Sequence, residues 1–298
     1  MTPAPAWRTY AALGCGVLIV STASILVRFA QGQGVPSLAI AAWRLAIAAL
    51  VLLPLVLTHA RGELGALARR DWWLAGASGV FLALHFAAWI VSLEYTSVAS
   101  SVALVTTNPI WIAIFSVLVL RERMPALQRL AVVLSLTGSA VILAADAGSV
   151  SGSAPAPGLG NALALAGSLT VCGYLLIGRR LRGHMSLLAY VGVVYAVAAL
   201  CLMLLAVASG TRMGGYPTFA WVLLAAMALG PQLLGHSAFN YALKHVSATM
   251  IALAVLGEPI GSTLLAWLLF DEAVGAVKLA GMAVLLGGIF LAARGEQR

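Results

Sequence analysis

Two stretches of this sequence, one in each half of the chain, decide its fold. Residues 95–120 are YTSVASSVALVTTNPIWIAIFSVLVL, and residues 245–270 are HVSATMIALAVLGEPIGSTLLAWLLF. A shift of 150 residues places the first stretch on the second without a gap and puts Asn108-Pro109 on Glu258-Pro259. The correspondence extends over about residues 85 to 145. The last three apolar segments of each half are therefore predicted to be copies of one unit.

The composition requires contact with lipid. Only 9% of the 298 residues are charged and 62% are hydrophobic, whereas about a quarter of the residues in a soluble domain are charged. So few charges do not cover a water-exposed surface. The net charge of +8 is spread over short gaps between apolar runs, which is typical of loops between membrane spans and argues against a nucleic-acid partner.

Ten apolar segments are each long enough to cross about 30 Å of hydrocarbon. We therefore predict an all-α integral membrane protein with ten transmembrane helices, at residues 10–31, 36–58, 72–93, 97–120, 127–145, 159–178, 185–208, 218–242, 248–270 and 275–293. A linker rich in Ser, Gly and Pro at 148–158 separates a first five-helix repeat, 1–147, from a second one, 159–298.

The distribution of Lys and Arg predicts that both termini are cytoplasmic. With the N-terminus inside, thirteen basic residues fall on the inner side and three on the outer side, Arg44 within a span being left out. The inner set comprises Arg8, Arg61, Arg69, Arg70, Arg121, Arg123, Arg129, Arg179, Arg180, Arg182, Lys244, Arg294 and Arg298. Because each repeat has an odd number of spans, the second is inverted. Inverted repeats place a solute site near the midplane, to which rocking of the halves gives alternating access.

The sequence resembles a known family over nearly its whole length. Ten spans in two halves, the paired Asn108-Pro109 and Glu258-Pro259, and an acidic residue closing each of those helices, Glu122 and Glu272, are similar to the EamA-type drug/metabolite transporters. Within that family the chain looks most like the bacterial exporters of aromatic and other neutral amino acids. The resemblance implies a central cavity lined mainly by the first, third and fourth helices of each half. It also implies export of metabolites across the inner membrane, and a multidrug or other metabolite carrier is the alternative.

The two mid-span prolines are candidate hinges. Pro109 and Pro259 each remove a backbone N–H, and we expect a kink that displaces the carbonyl groups of Val105 and Val255. Breaks at membrane depth are tolerated where protein or a water-lined cavity satisfies the freed groups. Because both copies carry the proline, a role in shaping the cavity is favoured over the general abundance of proline in membrane helices.

Glu258 is the only acidic residue deep within a predicted span. Carboxylates inside a membrane usually face a pathway or a partner, because they are costly to bury. Three roles are open: binding a substrate ammonium, carrying a coupling proton, or pairing with Arg44 in the second helix or with another internal hydrogen-bond donor.

Polar faces within apolar helices supply the other candidate pathway residues. Polar faces are expected to turn away from lipid, and residues four apart share a face. The candidates are Ser21 and Ser24 in the first helix, His85 and Trp89 in the third, Asn108 and Trp111 in the fourth, Tyr174 in the sixth, and Gln232, His236 and Asn240 in the eighth. Ordinary packing or anchoring at the membrane interface is the alternative for each. Their convergence predicts a mixed aromatic and polar cavity for small amphipathic solutes such as amino acids.

Other classes of function have weaker support. Gly235-His236-Ser237-Ala238-Phe239 resembles a nucleophile elbow but has Phe in place of the last glycine, so an intramembrane enzyme is disfavoured. Nothing repeats like a selectivity filter, so a channel is disfavoured too. No nucleotide-binding or metal-ligand motif is present, and we expect no cofactor and no metal. The residues indicate no particular oligomeric state, and a monomer is compatible with them.

Overall fold

The computed structural model describes residues 6–120, 126–148, 155–271 and 274–296. The predicted acidic helix ends Glu122 and Glu272 lie outside these residues, as do Arg121, Arg123 and positions 149–154 of the linker. The described residues are helical and contain no strand. Their helices are α1 (Ala6–Val20), α2 (Ala23–Gly32), α3 (Ser37–Leu55), α4 (Arg61–Gly65), α5 (Arg69–Tyr95), α6 (Val98–Val105), α7 (Asn108–Leu120), α8 (Ala126–Gly148), α9 (Pro157–Leu181), α10 (Leu187–Ala208), α11 (Thr218–Met227), α12 (Ser237–Ala242), α13 (Ala248–Ala254), α14 (Gly257–Phe270) and α15 (Ala276–Glu296).

The helices make the chain a multi-pass membrane protein. Within the described ranges, seven helical stretches are long and apolar enough to cross a membrane: Trp7–Gly32, Ser37–Gly65, Arg69–Tyr95, Pro157–Leu181, Leu187–Ala208, Thr218–Ala242 and Met250–Phe270. Three shorter apolar helices accompany them, Val98–Ile112, Arg129–Ile142 and Ala276–Gly288. On α10, Leu200, Leu204 and Val207 are 59% to 68% exposed, as expected for a surface in lipid. The predicted number of ten spans stays a prediction.

Both repeated segments are interrupted just before their proline. α7 begins at Asn108 and α14 begins at Gly257, and in each case two residues separate the helix from the preceding one. Pro109 and Pro259 therefore lie in the first turn of a new helix, where a backbone N–H has no intrahelical partner to lose. The interruptions therefore fall at the positions where we expected the prolines to displace the carbonyl groups of Val105 and Val255, and the predicted kinks stay predictions. Hinge motion there stays a prediction.

Side-chain hydroxyls stabilise the interruptions in the first half. Thr106 Oγ1 donates to the carbonyl of Val102 at 2.9 Å, and Thr107 Oγ1 donates to that of Leu104 at 2.7 Å. The first predicted span is also interrupted, between α1 and α2, where Thr22 Oγ1 donates to a backbone carbonyl at 2.7 Å. These local bonds compete with the regular helical ladder. In the second half, the backbone N–H of Glu258 donates to the carbonyl of Val255 at 2.9 Å.

The eighth predicted span is not a regular α-helix. Between α11 and α12, residues Ala228–His236 are π-helical and contain Pro231. A proline removes one backbone donor, and a π-helical turn is a frequent way to accommodate such a defect near a functional site. A second π-helical segment, Val56–Ala60, follows α3. The predicted span 218–242 contains the first of these segments, and the predicted span 36–58 ends within the second.

The third span of each half packs against the first span of the other half. The third predicted span of the first half, α5, runs antiparallel to α9, the first predicted span of the second half. Ser78 Oγ lies 3.5 Å from the carbonyl oxygen of Tyr174, and Thr96 Oγ1 donates to Asn161 at 2.9 Å. Reciprocally, α1 packs on the eighth span. A Cβ at Gly16 would lie 2.8 Å from the ring of Phe239.

The helices α8 and α15, which correspond to the last predicted span of each half, contact each other through equivalent glycines. A Cβ at Gly138 would lie 2.5 Å from the backbone nitrogen of Leu285. A Cβ at Gly288 would lie 2.4 Å from Ser135 Oγ and 2.8 Å from the carbonyl oxygen of Ala131. These two glycines are 150 residues apart in the sequence. The crossing is therefore symmetric, and it depends on the absence of a side chain at both positions.

Candidate solute-binding cavity

A partly enclosed cavity of about 50 Å³ lies between the two halves. Its walls come from both halves: the first half supplies the end of α1, α5 and the region around the interruption between α6 and α7, and the second half supplies α9, the π-helical segment, α12, α13 and the start of α14. The polar and aromatic lining comprises His85, Trp89, Thr106, Asn108, Tyr174, His236, Phe239 and Glu258. Val20, Val105, Leu175 and other aliphatic side chains complete it.

Six of the predicted pathway residues line this cavity together: His85, Trp89, Asn108, Tyr174, His236 and Glu258. The remaining five do not line it. Gln232 and Asn240 are fully buried behind the wall, Ser21 is buried in the interruption between α1 and α2, Ser24 is buried in α2, and Trp111 is half-buried on α7. The substrate contacts of all eleven stay predictions.

His85 and Trp89 share a face of α5, as their spacing predicted. Their rings are stacked, with centroids 6.2 Å apart and planes 8° from parallel. His85 Nδ1 is 2.9 Å from the carbonyl oxygen of Gly167. A carbonyl only accepts, so Nδ1 carries the hydrogen, and Nε2 of the neutral imidazole is left as an acceptor.

Several buried polar atoms of the cavity wall have no hydrogen-bond partner among the described residues. They are Trp89 Nε1, Asn108 Oδ1 and His236 Nδ1, and the three side chains are at most 8% exposed. An unsatisfied buried polar group costs about 1–3 kcal/mol. These groups offer one indole donor, one amide acceptor and one imidazole nitrogen to whatever enters the cavity.

Behind the wall, a hydrogen-bond network joins the helices of the second half. Tyr174 Oη donates to Asn240 Oδ1 at 2.8 Å, and Asn240 Nδ2 donates to Tyr195 Oη at 3.3 Å. Arg182, just beyond the end of α9, donates to the backbone carbonyl of Asn240 at 3.0 Å. Burial lowers the pKa of that guanidinium. The network fixes Tyr174 with its ring against the cavity.

Replacing Tyr174 by Phe is expected to lower the free energy of unfolding by about 1–3 kcal/mol, because Asn240 Oδ1 would lose its hydrogen bond in a buried site. The loss is measured as earlier thermal loss of monodisperse protein in detergent. Tyr10→Phe is the matched control, since Tyr10 is 53% exposed. Equal stability of the two variants would contradict the assigned role of this bond.

Arg44 is hydrogen-bonded to Gln232 and forms no ion pair with Glu258 within the described ranges. Its Nε donates to Gln232 Oε1 at 3.0 Å, and its guanidinium lies over the ring of Phe86, 4.2 Å from the centroid. Glu258 is nevertheless near enough to interact electrostatically with the guanidinium. A structural role beside Arg44 or another internal donor, binding of a substrate ammonium and proton coupling all stay open for Glu258.

Sequence reasoning missed three residues that shape the site. Phe86 lies between Arg44 and the cavity, Tyr195 anchors Asn240, and Phe239 forms part of the wall. Phe239 follows His236 by three residues, so helical spacing could have placed it on the wall. Tyr195 carries no such signal, because it sits in a uniformly apolar helix and its role depends on a contact between helices.

A multi-pass helical membrane protein with a polar cavity between two halves has the architecture of a solute transporter. The model of the EamA-like transporter family matches residues 8–144 and 158–294. The chain belongs to this family and is a membrane transporter.

Similarity to individual proteins agrees with the family. The uncharacterized transporter YetK of Bacillus subtilis (strain 168) is 25% identical over 287 residues, which cover 95% of this chain and 86% of YetK. A protein of known crystal structure shares the fold with a TM-score of 0.67 over 96% of both chains, at 22% sequence identity.

Proposed function

We propose that this transporter is a secondary carrier that exports aromatic and other neutral amino acids, or closely related amphipathic metabolites, across the bacterial inner membrane by alternating access. One observation carries the proposal: the cavity between the halves combines stacked aromatic rings with unpartnered polar atoms and one carboxylate. Aromatic surface suits an apolar side chain, and the polar atoms suit the charged groups of an amino acid.

The cavity volume favours a carrier over an open channel. An engineered apolar cavity of about 150 Å³ binds benzene, and this one measures about 50 Å³. An aromatic amino acid therefore requires the walls to separate before it binds. Interruptions of α1/α2, α6/α7 and α13/α14 border the site and supply places where such movement is accommodated.

The proposed topology has ten spans in two inverted repeats, 1–147 and 159–298, with both termini in the cytoplasm. Seven long and three shorter apolar helices support the count. The crossed pairing of α5 with α9 and of α1 with α12, and the symmetric glycines of α8 and α15, support the inversion. The thirteen-to-three excess of basic residues on one side supports the orientation.

Transport of labelled phenylalanine and neutral amino acids into proteoliposomes tests the function. Saturable uptake that accelerates when unlabelled amino acid is preloaded is the expected result, with protein-free liposomes as the control. Stimulation by an imposed pH gradient would make the carrier proton-coupled, and indifference would make it a facilitator. Absence of uptake for every amino acid would overturn the substrate assignment and favour another metabolite or a drug.

A further inference from the structure

Arg44 is a buried cation whose two terminal amino groups have no hydrogen-bond partner among the described residues. The residue is 0% exposed. Its Nε is bound by Gln232, but within the described ranges neither Nη1 nor Nη2 has a hydrogen-bond partner. The guanidinium also forms no ion pair with a carboxylate of the described residues. It is therefore a charge in the centre of the molecule with two open amino groups.

This arrangement is costly unless a ligand completes it. Arg is permanently cationic in proteins, and a buried charge is tolerated when it is paired and hydrogen-bonded. The contact with Phe86 and the bond to Gln232 offset part of the cost. The two open amino groups form a planar fork that matches a carboxylate better than any other common solute group.

The guanidinium is one side chain away from the cavity. Phe86 carries Arg44 on its face, while its ring lies 5.2 Å from His236 and 4.9 Å from His85, both of which line the cavity. Gln232 precedes His236 by four residues on the same segment. Movement of Phe86 would both enlarge the cavity and expose the guanidinium to its contents.

We propose that Arg44 binds the carboxylate of the transported solute, with Phe86 covering the guanidinium whenever the cavity is narrow. This inference rests on the proposed function and narrows its substrates to small molecules that carry a carboxylate. Because Glu258 lies on the cavity wall, a zwitterion has an opposite charge available for each of its ends once Phe86 uncovers Arg44.

Competition against counterflow of labelled phenylalanine tests the carboxylate requirement in the wild-type protein. The competitors are phenylalanine and two analogues that keep its ring and amine but lack the carboxylate, phenylalaninamide and phenethylamine. Phenylalanine is expected to compete at least about tenfold better than the other two, because a buried charged hydrogen bond is lost without the carboxylate. Equal competition by all three would overturn the proposal while leaving transport itself established.

Variants of Arg44 test whether this residue is the source of that discrimination. In Arg44→Gln, phenylalanine and its amide are expected to compete equally, and Arg44→Lys should restore part of the preference. Arg70→Gln is the matched control, since Arg70 is exposed, and it should keep the wild-type ratio. Discrimination that persists in Arg44→Gln overturns the role of Arg44, and if that variant does not fold, the wild-type competition and Arg44→Lys still decide. Absence of phenylalanine counterflow in the wild type would overturn the amino-acid assignment and this inference with it.

Discussion

Glu258→Gln is expected to slow counterflow of labelled phenylalanine at least about tenfold if the carboxylate binds the solute ammonium, because hydrogen bonds to a buried charged group contribute about 1.5–3 kcal/mol. Glu258 is 6% exposed and is the one acidic residue of the described part of the chain that lines the cavity. Gln has nearly the same shape, so folding should be retained while the negative charge is lost. The initial rate is measured in proteoliposomes at equal protein density.

Two assays on the same variant separate the roles open to Glu258. If the carboxylate binds the solute ammonium, both counterflow and gradient-driven uptake are expected to fall. If it carries a coupling proton, counterflow persists and stimulation by a pH gradient disappears. Glu63→Gln is the control, because the amide oxygen can still accept from the backbone N–H of Ser186, now bound at 2.7 Å. Unchanged rates in both assays for Glu258→Gln would exclude a pathway role.

The positions of the helices were largely predictable from the sequence. The predicted span 72–93 lies within α5, Arg69–Tyr95, and the predicted span 218–242 coincides with Thr218–Ala242. Hydrocarbon imposes this regularity, because each crossing needs a continuous apolar stretch of known length. The interruptions between α6 and α7 and between α13 and α14 lie next to the paired prolines. The interruption between α1 and α2 was not predictable, since it depends on a hydroxyl group, that of Thr22, bonding to a local carbonyl.

The candidate site was predictable where the helices are regular. His85 and Trp89 stack as their spacing on α5 predicted. The stripe Gln232, His236 and Asn240 was predicted from α-helical spacing, but the π-helical segment changes the phase between these residues. His236 faces the cavity, while Gln232 turns to Arg44 and Asn240 turns to Tyr174. Partners far apart in the sequence decide such details, and a single sequence does not record them.

Gly288→Leu is expected to be among the most destabilising single changes in the protein, with a loss of about 3 kcal/mol or more. A side chain there would collide with Ser135 Oγ at 2.4 Å and with the carbonyl oxygen of Ala131 at 2.8 Å. The backbone atom has no rotamer by which to retreat, so α8 and α15 must separate and lose their packing. The loss is measured as the temperature at which half the protein leaves the monodisperse peak in detergent.

Gly287→Leu provides the matched control, because a Cβ at Gly287 meets no heavy atom of the described residues within 4 Å. The two variants make the same chemical change at neighbouring positions of one helix, so any effect of glycine removal or added hydrophobicity is shared. The two positions differ in that Gly288 faces α8 and Gly287 does not. By the symmetry of the crossing, Gly138→Leu should match Gly288→Leu, since its Cβ would lie 2.5 Å from a backbone nitrogen of α15. A tolerated Gly138→Leu would contradict this symmetric packing, and with it the strongest structural support for an inverted repeat.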